Sequence, residues 1–404
     1  MHTALAHITE QIRAAAAAKT PLRIRGGGSK DFLADQLQGT LLDTTALVGI
    51  TSYEPSELVI TALAGTPLAD IGAVLAERGQ CLAFEPPHYA FNAPSTSTVG
   101  GMVAAGLAGP ARACVGGVRD YVLGVHMVNG RAEHLQFGGT VIKNVAGYDV
   151  SRLMAGSWGM LGVITQVSLK VLPIAPSEAT LRFHMDEAQM LHQLNTWAGQ
   201  PLPLNASSWV HERSGQEQRS GQERPSGQER PSETAQLGGA SQGTLYLRLR
   251  GAAAAVEAAQ QRLCHEAGGQ RVDSPATRAD WSAARDLRLP WFSEGFARGD
   301  DLWRINVPAT TAPLLLGDTM VDWLGAQRWV WAPASDVQAA QRIRQVAAQA
   351  NGNATLFVAA NVVDTWTTSR FHAINAPLDR IHRQLKAEFD PAGIFNPGRV
   401  PWFA

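Results

Sequence analysis

Apolar positions along the chain alternate between two periods, and the change from one to the other marks its elements. Leu5, Ile8 and Ile12 recur at helical spacing and run into an alanine tract, which predicts a helix over 5–18 that ends before Pro21. The short apolar run Leu22-Arg23-Ile24-Arg25 predicts a strand, and 40–44 and 58–62 predict two more. Pro67 opens a helix over 68–78, with Gly79 just past its end. At 122–128 an apolar stretch meets Asn129-Gly130, a strong hairpin signal, and 133–137 returns antiparallel. The sheet is therefore expected to be mixed. A helix over 150–155 and a strand over 163–172 close this region at Pro173.

From about 175 to 360 the pattern reads as a separate α+β domain, with strands at 244–250, 303–307, 329–331 and 355–360 and helices at 252–266 and 337–350. Inside it a six-residue repeat built on Ser-Gly-Gln-Glu runs through Arg213–Gln218, Arg219–Arg224 and Pro225–Arg230 without an apolar residue. Burial cannot offset the ordering entropy of such a segment, so 213–240 is expected to be a disordered insertion. Leu378, Ile381, Leu385 and Phe389 then share one face of a helix that stops at Asp390-Pro391, and Asn396-Pro397-Gly398 forms a turn. The expected division is 1–173, 174–365 and a returning tail, 366–404.

Composition narrows the classes. The 404 residues are 45% hydrophobic and 17% charged, enough for a large core, and the net charge of −1 offers no footprint for nucleic acid or an anionic membrane. Cys81, Cys114 and Cys264 are scattered without metal or disulfide spacing, which fits a reducing cytoplasm. No apolar run reaches the length of a membrane span, and the first residues lack the basic region of a leader, so any membrane association is expected to come through partners.

Three glycine clusters carry the candidate chemistry. Gly26-Gly27-Gly28-Ser29 follows the first strand, where residues without a Cβ let successive amides converge on an anion, a phosphate above all. In isolation a structural turn is its commoner reading. Thr98-Val99-Gly100-Gly101, with Ala104 behind it, would set a helix N-terminus on a pyrophosphate, the plain alternative being tight helix–strand packing. Gly159-Met160-Leu161-Gly162-Val163-Ile164 places a turn before a strand edge able to pair with an adenine ring. Neither the G-x-G-x-x-G dinucleotide fingerprint after a strand nor a P-loop is present.

These clusters, with Arg119-Asp120-Tyr121-Val122-Leu123-Gly124 between them, resemble in order and spacing the FAD-binding domain of the vanillyl-alcohol-oxidase (PCMH-type) family. The closing Phe389-Asp390-Pro391-Ala392-Gly393-Ile394-Phe395-Asn396-Pro397-Gly398-Arg399 is similar to the C-terminal signature of its 2-hydroxy acid dehydrogenase branch. Within that branch, the run from Phe137 through Gly147-Tyr148-Asp149 resembles FAD-binding subunits of glycolate oxidases. The resemblance implies an α+β fold, a PCMH-type FAD domain of two subdomains with an α+β cap. It also implies backbone contacts from Gly26, Gly27, Gly28 and Ser29 to the pyrophosphate, opposite Thr98, Val99, Gly100, Gly101 and Ala104. Gly159, Gly162, Val163 and Ile164 would line the adenosine end. Where some members tether the flavin through a histidine, Ser29 and Lys30 stand here, implying non-covalent FAD. Implied partners are a paralogous flavin subunit, an iron–sulfur subunit passing electrons to quinone, and a small 2-hydroxy acid, glycolate oxidised to glyoxylate.

The catalytic apparatus is thin. Oxidising a 2-hydroxy acid needs a base and a carboxylate-binding cation besides the flavin. The histidine-rich stretch of catalytic relatives has as its counterpart Asn351-Gly352-Asn353-Ala354-Thr355-Leu356-Phe357, without histidine. The eleven histidines show no metal spacing, His372 and His382 included, so no metal site is expected. Arg304 could meet a carboxylate or form a structural ion pair, and Tyr148-Asp149 could do acid–base work or, for the Asp, cap a turn. Trp281, Trp291, Trp303, Trp323, Trp329, Trp331 and Trp366 read as core or as a subunit-docking surface. Hydride abstraction would then belong mainly to the paralogous subunit. The rival readings are a free-standing flavin-dependent 2-hydroxy acid dehydrogenase of the D-lactate type and a flavin-free scaffold.

Overall fold

The computed structural model describes residues 2–90, 96–140, 149–212, 242–272, 274–336, 338–361 and 369–403. The expected insertion at 213–240, Tyr148 and Trp366 lie outside them. The chain divides into one unit of Met1–Ala175, Ala279–Asp301 and Thr355–Ala404, and a second of Pro176–Arg278 and Leu302–Ala354.

In the first unit the opening helix spans His2–Ala18 and buries Ile8, Ile12 and Ala15. They pack with Leu22, Leu42, Leu63, Val128, Val163, Ile394 and Phe395. Leu22–Arg25 pairs in parallel with Thr40–Asp43. The C-terminal tail completes this edge: the Leu22 amide donates to the Ile394 carbonyl (2.7 Å) and the Asn396 amide to the Leu22 carbonyl (2.9 Å). A separate five-stranded sheet runs in the order Ile50–Glu54, Val59–Leu63, Val163–Lys170, Val122–Val128, His134–Gly138. The mixed sheet expected from the pattern is thus two sheets, because Val163–Lys170 inserts antiparallel between the strands it follows and leaves no parallel neighbours there.

The hairpin at 122–138 forms as its pattern predicts, yet Gly130 serves another purpose than a two-residue turn. Asn129 Oδ1 accepts from the amides of Arg131 (2.9 Å) and Glu133 (3.0 Å), and Ala132 takes the left-handed conformation at φ 59°. A Cβ on Gly130 would sit 2.8 Å from the Asp390 Cα, so the glycine is there for the close approach of the C-terminal segment.

The second unit carries a sheet in the order Gln270–Arg271, Ser177–Asp186, Gln242–Gly251, Leu204–His211, Thr319–Asp322, Gln327–Pro333. The helices Glu187–Ala198 and Ala253–Ala267 cover it through Leu194, Trp197, Val256 and Leu263 against Phe183, Leu245 and Leu247. Residues 279–301, expected in this domain, cluster with the first unit instead. Asp286 ties them there by accepting from the His88 amide at 2.8 Å. Trp281, Trp291, Trp303, Trp323, Trp329 and Trp331 are all buried, as core residues are.

Asp322 is fully enclosed in the second unit, accepting from Trp329 Nε1 at 2.9 Å, and burial pushes its carboxyl up to about 6. A folded-state value above the unfolded one favours folding at low pH, and that contribution disappears as pH rises through 6. At about 1.4 kcal/mol per unit the loss is about 3 kcal/mol. Asp322→Asn is therefore expected to flatten the stability profile between pH 4 and 6, read by urea unfolding at stepped pH. An unchanged slope would assign the dependence elsewhere.

Candidate functional site

The first glycine cluster begins where the strand Leu22–Arg25 ends, and its backbone cannot carry side chains. A Cβ on Gly27 would overlap the Thr96 carbonyl, one on Gly26 the Thr98 hydroxyl, and Gly28 sits at φ 76°. The loop is thereby pressed against 96–98 while its amides face away from protein acceptors. Among the described residues, no acceptor takes the backbone N–H of Gly26, Gly27, Gly28, Ser29 or Lys30. Buried or half-buried amides are ordinarily paired, so five in succession form a donor set suited to an anion.

These residues line an open cleft. Of the residues singled out in the sequence, Gly26, Gly27, Gly28, Ser29, Thr98, Gly100, Gly101, Ala104, Gly159, Gly162 and Ile164 line it. Val99 and Val163 do not. Both are completely buried beneath it, Val163 among the core side chains of the opening helix. The helix Val99–Ala105 also differs from expectation, because its leading amides are already used. Val99 donates to the Thr66 carbonyl (3.0 Å), Gly100 to Ala64 (2.7 Å), and Gly101 to the capping Thr98 hydroxyl (3.3 Å). A Cβ on Gly100 would press on Ala64, so this glycine permits tight packing while the first loop presents the free donors.

The tail supplies what the glycine clusters alone do not show. Asn396 Oδ1 accepts from the Ile24 amide (2.7 Å) and its Nδ2 donates to the Trp158 carbonyl (2.8 Å), bolting the first strand to the third glycine cluster. Arg399 is buried, lies with its guanidinium 5.5 Å over the Trp158 ring, and reaches Asp31 at 3.6 Å. Its Nε has no hydrogen-bond partner among the described residues. Asp31 also holds Arg23 (2.9 Å) and Arg25 (2.8 Å), so one carboxylate serves three arginines. Lys30, buried as well, donates to Ser29 Oγ at 2.9 Å and Ser97 Oγ at 3.4 Å. The charges clustered at 23, 25, 30 and 31 are the signal in the sequence from which this part of the anion site could be found.

Other candidates fall elsewhere. Asp149 accepts from the Arg152 amide at 3.3 Å and caps the turn Val150–Leu153. Arg304 lies half-buried on a strand of the second unit, and 353–357 is strand. Among the described residues no cluster of histidine, cysteine and carboxylate is suited to a metal, and no helix is long and apolar enough to cross a membrane.

Fold and cleft define a flavoprotein: residues 3–138 match the family described as FAD binding domain, and the unpartnered amides with the orphaned Arg399 nitrogen fit the diphosphate of that cofactor. The chain belongs to the glycolate oxidase GlcE family within the PCMH-type flavoproteins. It is 40% identical to glycolate oxidase subunit GlcE of Escherichia coli K12 over 395 residues, 97% of this chain and 96% of that one. Glycolate oxidase subunit GlcD of Bacillus subtilis is 32% identical over 135 residues, 33% of this chain and 27% of its own. D-lactate dehydrogenase of Archaeoglobus fulgidus is 30% identical over 158 residues, covering 38% and 33%. Alkyldihydroxyacetonephosphate synthase shares the fold, with TM-score 0.64 and 12% identity over 97% of this chain and 75% of that one. The chain is accordingly an FAD-dependent oxidoreductase of α+β architecture, from a family named for one subunit of a multi-subunit oxidase.

Proposed function

We propose that this chain carries FAD within a complex that oxidises glycolate to glyoxylate, with the amides of Gly26–Lys30 and the Arg399 guanidinium around the diphosphate. The observation that carries the reading is the run of five unpartnered amides in a cleft whose charged lining is Arg25, Lys30, Arg399 and Asp31. Charge-assisted hydrogen bonds of about 1.5–3 kcal/mol each hold the cofactor without a covalent link, consistent with Ser29 where a tethering histidine would stand. Thr98, Gly100, Gly101 and Ala104 form the opposing wall, and Gly159, Gly162 and Ile164 the adenosine end. Val99 and Val163 support the wall from below.

When bound, FAD supplies the hydride acceptor. The assignment of the base that takes the substrate hydroxyl proton to a paralogous flavin subunit is supported by the stretch 351–357, which carries no histidine where catalytic relatives of the family have a histidine-rich segment. Electrons leave through an iron–sulfur partner that brings the assembly to the membrane from the cytoplasmic side.

Co-expression of this chain with its GlcD-like and iron–sulfur neighbours, followed by acid precipitation, tests the reading. The complex should release FAD in excess of what its GlcD-like subunits alone release, by one for each copy of this chain, and it should reduce a dye with glycolate. Absence of bound or rebindable FAD on this chain would reduce it to a scaffold.

A further inference from the structure

Lys30 has an unusual position for a lysine. Its side chain is 6% exposed, and the two hydroxyls it touches, Ser29 and Ser97, are themselves bonded to each other at 2.9 Å. Among the described residues no carboxylate forms an ion pair with it. Every neighbouring charge is either committed or of the same sign. Asp31 is held by Arg23, Arg25 and Arg399. Asp286, the carboxylate that acts on Lys30 from a distance, is held by Arg285 at 2.8 Å and Arg288 at 3.4 Å. Arg399 donates to the Lys30 carbonyl and repels its ammonium, and His88, on the segment beside Asp286, feels the same field.

A buried cation without a counter-ion is costly unless a ligand completes it. Resting on the FAD reading above, we propose that the Lys30 ammonium is the built-in counter-cation of the bound diphosphate and couples cofactor binding to proton uptake. The diphosphate of FAD brings two negative charges to a loop whose five free amides are dipoles rather than full charges. Lys30 and Arg399 supply the two matching positive charges from beneath it.

Burial pushes the Lys30 ammonium down to about 8, with Asp286 opposing and Arg399 reinforcing the fall. A bound anion favours the protonated form and raises this value. Below pH 8 the lysine is charged with or without cofactor, and affinity is flat. Above pH 8 binding takes up a proton, so affinity falls by up to about tenfold per pH unit. His88 is held below its ordinary range, first by burial and then by Arg285, and so stays neutral throughout that window.

The full chain, stripped of flavin, is titrated with FAD by fluorescence quenching from pH 6.5 to 9.5, and by calorimetry at pH 8.5 in two buffers of different ionisation enthalpy. Expected are weakening binding above pH 8 and proton uptake at pH 8.5. Lys30→Met should bind more weakly, with no slope and no proton uptake, and Lys30→Arg should bind without a slope. Binding by the wild type that is flat across pH with no proton uptake overturns the proposal alone, whether or not the variants fold. Failure of the folded wild-type chain to bind FAD at any pH overturns the FAD reading as well.

Discussion

Gly27→Ala should abolish flavin retention and destabilise the first unit by about 3 kcal/mol or more, the cost of overpacking where backbone meets backbone. A Cβ at this position would overlap the Thr96 carbonyl, and neither side of that contact is a flexible side chain able to move away. The glycine loop would have to lift from 96–98, scattering the amides that converge on the anion. Gly72→Ala is the natural control. Gly72 lies inside the helix Leu68–Ala76, where an added Cβ would meet nothing within 4 Å, so the change should be neutral or stabilising by up to about 1 kcal/mol. Urea unfolding and the flavin absorbance of the purified complex read both effects. Wild-type stability and full flavin content in Gly27→Ala would mean the two loops do not touch as described.

Lys386→Met is expected to cost about 3–5 kcal/mol, the range for breaking a buried ion pair from one side. Lys386 Nζ bonds to Asp390 (2.7 Å), to the Met160 carbonyl (2.8 Å) and to the Phe395 carbonyl (2.9 Å). Asp390 also accepts from the amides of Ile394 (3.1 Å) and Phe395 (2.8 Å), and its side chain is wholly enclosed. Removing the ammonium strands that carboxylate and two carbonyls. It also loosens the tail that places Asn396 and Arg399, so FAD affinity should fall with stability. Lys386→Met combined with Asp390→Asn should cost clearly less than the two single changes added, because the stranded charge is gone. A single-mutant loss below about 1 kcal/mol would show that the pair carries little.

Much of this architecture is legible in local pattern. The helix over 5–18, the strand at 22–25 and the hairpin at 122–137 can all be read, because each repeats its apolar residues with the period of its own backbone. Local pattern misleads where a residue answers to something distant in sequence. Gly130 signals a turn but exists for Asp390, and Gly100, which does line the cleft, has its own amide taken by the Ala64 carbonyl. Leu378 and Ile381 share a helical face as predicted, yet both are about half exposed, at 45% and 48%. Periodicity reports that a face exists, not what covers it.

The same division applies to the candidate site. Three glycine clusters show where backbone is left open to an anion, since missing side chains are visible residue by residue, while the flavin itself is implied by the resemblance of their order and spacing to the PCMH-type FAD domain. Which amides remain free is not visible there. The first loop keeps its donors while the helix at 99–105 gives its own to Thr66 and Ala64, and that depends on which strand lies alongside. Nor can the chain announce that Lys30 is buried without a carboxylate, or that Arg399, near the far terminus, stacks on Trp158 in the same cleft. Burial and charge balance are sums over neighbours hundreds of residues apart, so only the folded arrangement assigns them.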